Sequence, residues 1–299
     1  ETDPLQVYID GDWVKAKDTT LGADNGMGVA AAMAIIEDQT VEHGPLEVLI
    51  TKDEETGMYG AFGLKADVLK GKYLLNLDSE VEGEITIGCA GGMDVVCSME
   101  YQEIDIETEN MSAFRISIKG LLGGHSGIEI NEGRANANKL MARVLFAAVN
   151  TGCAWISSWH GGNMRNAIPR TAQVILTLPK ENYEDLAELV QYCQEVFNAE
   201  FRGVEENIAL GIEQVPVPEG QVPVEIQDNL VDALMACHDG VLRFIPSIPS
   251  VVETSSNLGI VKIGNGEASV LILARSSNDT MMEYIRVFFY RTSQQPVEC

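Results

Sequence analysis

Leu46-Glu-Val-Leu-Ile-Thr-Lys-Asp-Glu-Glu-Thr-Gly57 carries an apolar run, Leu46, Val48, Leu49 and Ile50, that stops at three acids, Asp53, Glu54 and Glu55. A short apolar run bounded by breakers reads as a buried strand. In an open α/β sheet, ligands bind just past the carboxyl ends of the strands, so acids placed there are sited to hold a cation or handle a proton. Taken alone, the block reads as a solvated acidic turn. Two neighbouring units end the same way, and that makes it a candidate site.

Upstream, Val7-Tyr-Ile9 and Trp13-Val14 flank Asp10-Gly11, the signal of a hairpin. The loop Thr19 to Gly26 contains Asp24 and feeds a helix, Val29 to Ile36, that is apolar nearly all round and so is expected to be buried. Downstream, a helical segment near Ala61 to Leu69 leads to a strand, Tyr73 to Leu77, closed by Asp78-Ser-Glu80; Ile85 to Gly88 begins another. This alternation of helix and strand predicts a parallel α/β sheet.

Beyond about residue 105 the pattern changes. Phe114 to Lys119 alternates apolar and polar, and the Gly-rich Gly120-Leu-Leu-Gly-Gly-His125-Ser-Gly127 follows it. Helices are expected at Asn136 to Val149, Tyr183 to Phe201, Ile226 to His238 and Thr280 to Tyr290. Strands are expected at Ala154 to Trp159, Thr171 to Leu178, Leu258 to Ile263 and Ala268 to Ala274, the last two joined by Gly264-Asn-Gly266. Residues 112–205 and 206–291 thus share an element order, which suggests a doubled layer of helices on antiparallel strands.

Composition narrows the function. Forty-five acids against 20 bases give a formal charge of −25 over 299 residues, which speaks against a nucleic-acid or anionic-membrane partner. The six cysteines, Cys89, Cys97, Cys153, Cys193, Cys237 and Cys299, form no C-x-x-C pair, the usage of reduced thiols in a cytoplasmic protein. With neither a signal peptide nor an 18-residue apolar run, a soluble chain is expected. Glu1-Thr-Asp-Pro4 reads as the middle of a protein.

Asp24, the Glu54-Glu55 pair and Asp78 would each sit at the carboxyl edge of the sheet. Carboxylates converging there repel one another, and a divalent cation is the cheapest remedy. Adjacent glutamates allow one to bind metal while the other takes a proton from water.

Thr20-Leu-Gly-Ala-Asp24-Asn-Gly26, Asp53-Glu54-Glu55-Thr-Gly57 and Asn76-Leu-Asp78-Ser-Glu80 resemble the motifs of the di-zinc peptidases and deacylases that include carnosinases and carboxypeptidase G, above all the bacterial aminoacyl-histidine (Xaa-His) dipeptidases. The likeness extends through Gly88-Cys-Ala-Gly-Gly92, Gly123-Gly-His-Ser-Gly127, Arg165-Asn166-Ala-Ile-Pro-Arg170, Val252-Glu-Thr-Ser255 and Arg275-Ser276. It implies part of a catalytic di-zinc domain in residues 1–108, an α+β lid or dimerisation domain in 109–292, and an atypical tail in 293–299. It also implies zinc, with manganese or cobalt as alternatives, a dipeptide substrate and a homodimer.

Residue by residue, the likeness makes Asp24 the carboxylate bridging two zincs, Glu55 and Asp78 ligands of one zinc each, and Glu54 the general base. His125 would stabilise the oxyanion, in its own site or a partner's; a loop histidine capping a helix is the plainer alternative. Asn166 would bind substrate, or simply serve a turn. Arg275 would clamp the substrate carboxylate, with a surface salt bridge equally open. The remaining histidines, His43, His160 and His238, read as loop or structural residues. The family's His-x-Asp motif and its C-terminal histidine ligand are missing, since no histidine precedes His43 or follows His238. A fragment that binds zinc weakly and is inactive as written is therefore expected. Within the family an N-acyl-amino-acid deacylase or carboxypeptidase is the alternative; outside it, a non-catalytic dimerising scaffold.

Overall fold

The structure, a computed structural model, describes residues 4–79, 83, 85, 86, 88–150 and 154–294; among these, the side chains of residues 55, 56, 293 and 294 lie outside the description. The chain forms two compact units, Glu1–Ile87 and Gly88–Cys299.

In the first unit, β1 (Val7–Asp10) and β2 (Trp13–Ala16) pair antiparallel with Asp10 opposite Trp13. Gly11 takes φ +63°, the left-handed conformation that a two-residue hairpin loop needs and glycine adopts without steric cost. In α1 (Ala23–Glu37) the first turn is irregular: Asp24 and Asn25 have non-helical dihedrals. The Asn25 Oδ1 accepts the Gly28 N–H at 2.8 Å and caps the regular part. Two single turns follow, α2 (Glu54–Gly57) and α3 (Tyr59–Phe62).

Three expectations change in this unit. The helix expected to be buried has no buried residue, and Met33 and Ile36 are each 55% exposed. Residues 46–50 and 73–77 carry no strand pairing, and their side chains are exposed. The strand expected from Ile85 to Gly88 lies partly outside the described residues. An apolar run becomes a strand only where a neighbour takes its N–H and C=O groups, and is buried only where a second layer covers it. Among the described residues of this unit, β1–β2 is the sole ladder. The pattern for a parallel sheet is present without the pairing.

The second unit is built on an antiparallel sheet. Its elements run β3 (Gly91–Glu100), β4 (Ile104–Asp105), β5 (Met111–Lys119), β6 (Gly124–His125), α4 (Ala137–Asn150), β7 (Trp155–Gly161), β8 (Ala167–Ile168), β9 (Ala172–Pro179), α5 (Tyr183–Glu200), β10 (Ala209–Val215), β11 (Gly220–Gln221), α6 (Val224–Ala236), β12 (Gly240–Ile245), β13 (Ile248–Gly264), β14 (Glu267–Ser276) and α7 (Asp279–Gln294). The main sheet has the order β10-β5-β9-β7-β13-β14-β3, with β12 also paired to β13. Helices α4 and α5 pack on the β10-to-β7 half, α7 on β14 and β3, and α6 beside α4 at the join. The mixed α/β class with a central sheet thus holds.

The doubling is real, but its halves divide differently from the expected 112–205 and 206–291. β10 pairs with β5 in the first half, and β3 completes the second by pairing with β14 from Gly91↔Ser276 to Glu100↔Glu267. Residues 91–100, expected in the first domain, therefore form an edge of this sheet. β13 also starts earlier than the apolar alternation suggested, because Ile248 to Ser256 pairs with β12 on one side and, from Thr254 on, the strand pairs with β14 on the other.

The two halves meet where β7 pairs with β13 through Gly161↔Val261, His160↔Lys262 and Trp159↔Ile263. Trp159 and Ile263 are both fully buried. A seam of polar groups reinforces this short ladder. The Asp239 carboxylate accepts the Leu258 N–H at 2.8 Å and the Asn136 side-chain amide at 2.8 Å. Lys139 Nζ donates to the carbonyls of Leu234, Met235 and Cys237 at 2.7–2.9 Å, satisfying the end of α6 from α4. Asn138 Nδ2 reaches the Leu258 and Gly161 carbonyls on the two joined strands.

Burial pushes Asp239 up to about 6, against the pull of the Leu258 amide and Lys139. A carboxyl raised in the folded state binds its proton more tightly there than in the unfolded chain, whose value is near 3.8. This group's contribution to stability therefore rises as pH falls from about 6 toward 4 and is flat above 7, by up to roughly 3 kcal/mol. In thermal unfolding followed across this pH range, Asp239→Asn should lack that component. Parallel wild-type and variant profiles would refute the assignment.

Candidate functional site

The Gly-rich stretch after β5 must turn back to place His125, and backbone hydrogen bonding dictates how. Glu205 is buried, and its carboxylate accepts the Leu122 N–H at 2.8 Å and the Ala135 N–H at 3.0 Å. It thereby ties the beginning of the 120–135 loop to its end. Arg134 Nη1 donates to the Gly123 carbonyl at 2.6 Å. At Gly123, φ is +63°, and a Cβ there would run into the Arg170 side chain.

His125 and Asn166 are brought together by the two-residue ladder of β6 and β8, Gly124↔Ile168 and His125↔Ala167, and by the Ser126 N–H on the Asn166 carbonyl at 2.8 Å. Asn257, from β13 in the other half of the sheet, donates through Nδ2 to the carbonyls of Arg165 and Ala167, each at 2.9 Å. It grips the backbone on either side of Asn166. Arg275 arrives from the end of β14, opposite Ser255. A Cβ on Gly127 would lie 3.0 Å from His125 Cε1 and 3.1 Å from both Cζ and Nε of Arg275. The imidazole and the guanidinium thus converge over Gly127, where a side chain would crowd both.

His125 Nδ1 accepts the amides of Gly127 and Ile128, both at 3.2 Å. With Nδ1 accepting, the proton of the neutral ring sits on Nε2. Arg275 is half-buried; burial pulls its guanidinium below the usual value, Arg165 adds to that, and Asp94, paired with Arg165 at 2.7 Å, opposes it. Arginine nonetheless keeps its proton. Nε of Arg275 and Oγ of Ser126 are buried with no partner among the described residues. A donor imidazole and a guanidinium side by side suit a carboxylate or a developing oxyanion.

Asp24, Glu54 and Asp78 lie in the first unit and are exposed. Asp24 stands in the irregular start of α1, joined to Asn25 by a cis peptide, and Glu54 begins α2. The Glu55 side chain lies outside the described residues. Among the described residues no group of three or more His, Cys, Asp or Glu side chains could hold a metal ion.

Sequence reasoning passed over several participants. Asn257 ends a run, Glu253-Thr-Ser-Ser-Asn257, whose five polar residues are all buried in a strand. A polar run inside an otherwise apolar strand was its signal. Glu205 carried none, because its partners lie far away in sequence.

Residues 116–205 match the family model described as the Peptidase dimerisation domain, the segment from β5 through α5. Over 283 residues the chain is 41% identical to the cytosol non-specific dipeptidase of Escherichia coli K12, covering 95% of this chain and 58% of that one. It also superposes on the crystal structure of the aminoacylhistidine dipeptidase from Vibrio alginolyticus with a TM-score of 0.77 and 42% identity, over 99% of this chain and 60% of that one. The resemblance read from the motifs therefore stands, and the chain spans about three-fifths of the length of both relatives.

Removing the Glu205 carboxylate strands two N–H groups. Glu205→Ala should cost about 2–5 kcal/mol in urea unfolding, whereas Glu205→Gln, which keeps one acceptor, should cost clearly less. Equal and small losses would show that solvent replaces the carboxylate.

Proposed function

We propose that this chain carries the substrate-holding part, and a portion of the catalytic part, of a metal-dependent dipeptidase acting on dipeptides with C-terminal histidine. The convergence of His125 and Arg275 over Gly127, with Asn166 fixed beside them, is the observation that carries this reading. It supplies two kinds of donor for an anionic substrate, the guanidinium for the terminal carboxylate and the Nε2–H for the oxyanion. The named dipeptidases at 41% and 42% identity favour a dipeptide over an N-acyl amino acid. The dimerisation-domain match favours a homodimer.

In this reading Glu54 takes the proton of the attacking water and returns it to the departing amine as the C–N bond breaks. Asp24, Glu55 and Asp78 are the proposed ligands of zinc, or of manganese or cobalt, which would lower the pKa of bound water. With carboxylates alone and no imidazole, affinity for zinc is expected to be weak. The proposed compartment is the cytoplasm; among the described residues no helix is long and apolar enough to cross a membrane.

Metal analysis of the purified 299-residue chain should find zinc below stoichiometry, with no turnover of an Xaa-His dipeptide. Robust hydrolysis would overturn that expectation. Calorimetric titration with an Xaa-His dipeptide should still show binding. Arg275→Ala should weaken it at least tenfold, about 1.4 kcal/mol, and Arg275→Lys by a similar amount because the planar fork is lost. An N-acetyl amino acid that binds better than the dipeptide would favour the deacylase reading.

A further inference from the structure

Around His125 the loop is more tightly braced than a turn needs, and the brace is built from charged groups. The Glu129 carboxylate bridges two partners: Oε2 accepts the His125 backbone N–H at 2.6 Å, and Oε1 pairs with Arg134 Nη2 at 2.6 Å. The Glu129 N–H returns to the His125 carbonyl at 2.9 Å, so the two residues are bonded in both directions. Arg134 also reaches the Glu132 carboxylate and the Gly123 carbonyl. Its side chain is only 17% exposed and that of Glu129 29%. A Cβ on Gly124 would strike both the Arg134 guanidinium and the Glu129 carboxylate, so the brace occupies the space a side chain would need there.

We propose that Glu129 is a positioning residue that, anchored by Arg134, sets which nitrogen of His125 carries the proton. The His125 backbone, pinned by Glu129, holds Nδ1 against two amide N–H groups, those of Gly127 and Ile128. A proton on Nδ1 would oppose both donors, so the ring is kept as the Nε2–H tautomer. That is the donor an anionic substrate requires, and this consequence rests on the function proposed above. Glu129 touches neither substrate nor reacting atoms in this scheme; it acts through His125 alone. A purely structural brace would stabilise the loop without selecting a tautomer, and the two differ in what the ring nitrogens report.

The test is nitrogen-15 NMR of the full chain labelled at its histidines, with His125→Ala assigning the signals. In the wild type, Nδ1 should resonate as an unprotonated acceptor and Nε2 as a protonated nitrogen. Glu129→Ala should move both toward the average of two exchanging tautomers, while Glu129→Gln, which keeps an acceptor for the His125 N–H, should restore most of the wild-type pattern. A wild-type pattern in a cooperatively folded Glu129→Ala chain overturns the proposal. Should that variant fail to fold, Arg134→Ala decides: a shift in the same direction supports the proposal, and an unchanged pattern overturns it. Adding an Xaa-His dipeptide to the wild type separates the two claims. No response at Nε2 counts against the proposed function and leaves the effect of Glu129 on the tautomer standing.

Discussion

Three residue pairs between β7 and β13 hold the second unit together as one sheet, and everything the candidate site does depends on their register. His125 and Asn166 are held by the separate β6–β8 ladder, between β5 and β9 in the chain, whereas Asn257 and Arg275 lie on β13 and β14 beyond the join. A slip of one residue at the join would turn every side chain of one half to the opposite face. Apolar burial, which is non-directional, could not by itself forbid such a slip between the two strands. The polar seam can. Asp239, Asn136, Asn138 and Lys139 find their partners in one register only, and misplacing any of them leaves a buried polar group unpaired. Burying a carboxylate that is driven up to about 6 and a lysine lowered by burial is unfavourable in itself. What the seam contributes is specificity of joining.

The same logic repeats on a smaller scale in the His125 loop. Glycines permit the path, but they do not choose it, since a run of four glycines in eight residues has many paths open to it. Glu205 and the Glu129–Arg134 pair choose it by accepting and donating to particular backbone groups. Glu205 reaches the loop from a distant segment and the Glu129–Arg134 pair from within it, so the candidate histidine is fixed by groups that have no functional signature of their own.

Much of the second unit was legible in the sequence. The alternation at Phe114 to Lys119, the turn at Gly264 to Gly266 and the 3.6-residue period of Tyr183 to Glu200 each report a local preference that the tertiary structure had no reason to override. His125, Asn166 and Arg275 were legible as candidates because they sit in motifs. The meeting of His125 and Arg275 over Gly127 was not, for it requires β14 to lie beyond β13 and β13 beyond β7, a strand order that no single segment encodes. In the first unit the converse holds. Leu46 to Ile50 and Tyr73 to Leu77 carry a strand's pattern, yet they stand exposed and unpaired, because a pattern states only a readiness to pair.

The sequence by itself therefore determined most helices and strands of the second unit, its helix-on-antiparallel-sheet class, and His125, Asn166 and Arg275 as candidate residues, because turn chemistry, hydrophobic period and side-chain functional groups are local properties. The tertiary structure alone decided that β10 and β3 close opposite edges of one sheet, that Asn257 grips the chain around Asn166, and that a guanidinium and an imidazole share the space above one glycine. These are long-range facts. They follow from hydrogen-bond satisfaction and close packing between segments far apart in the chain, as Gly91 is from Ser276, which only the folded chain can bring into contact.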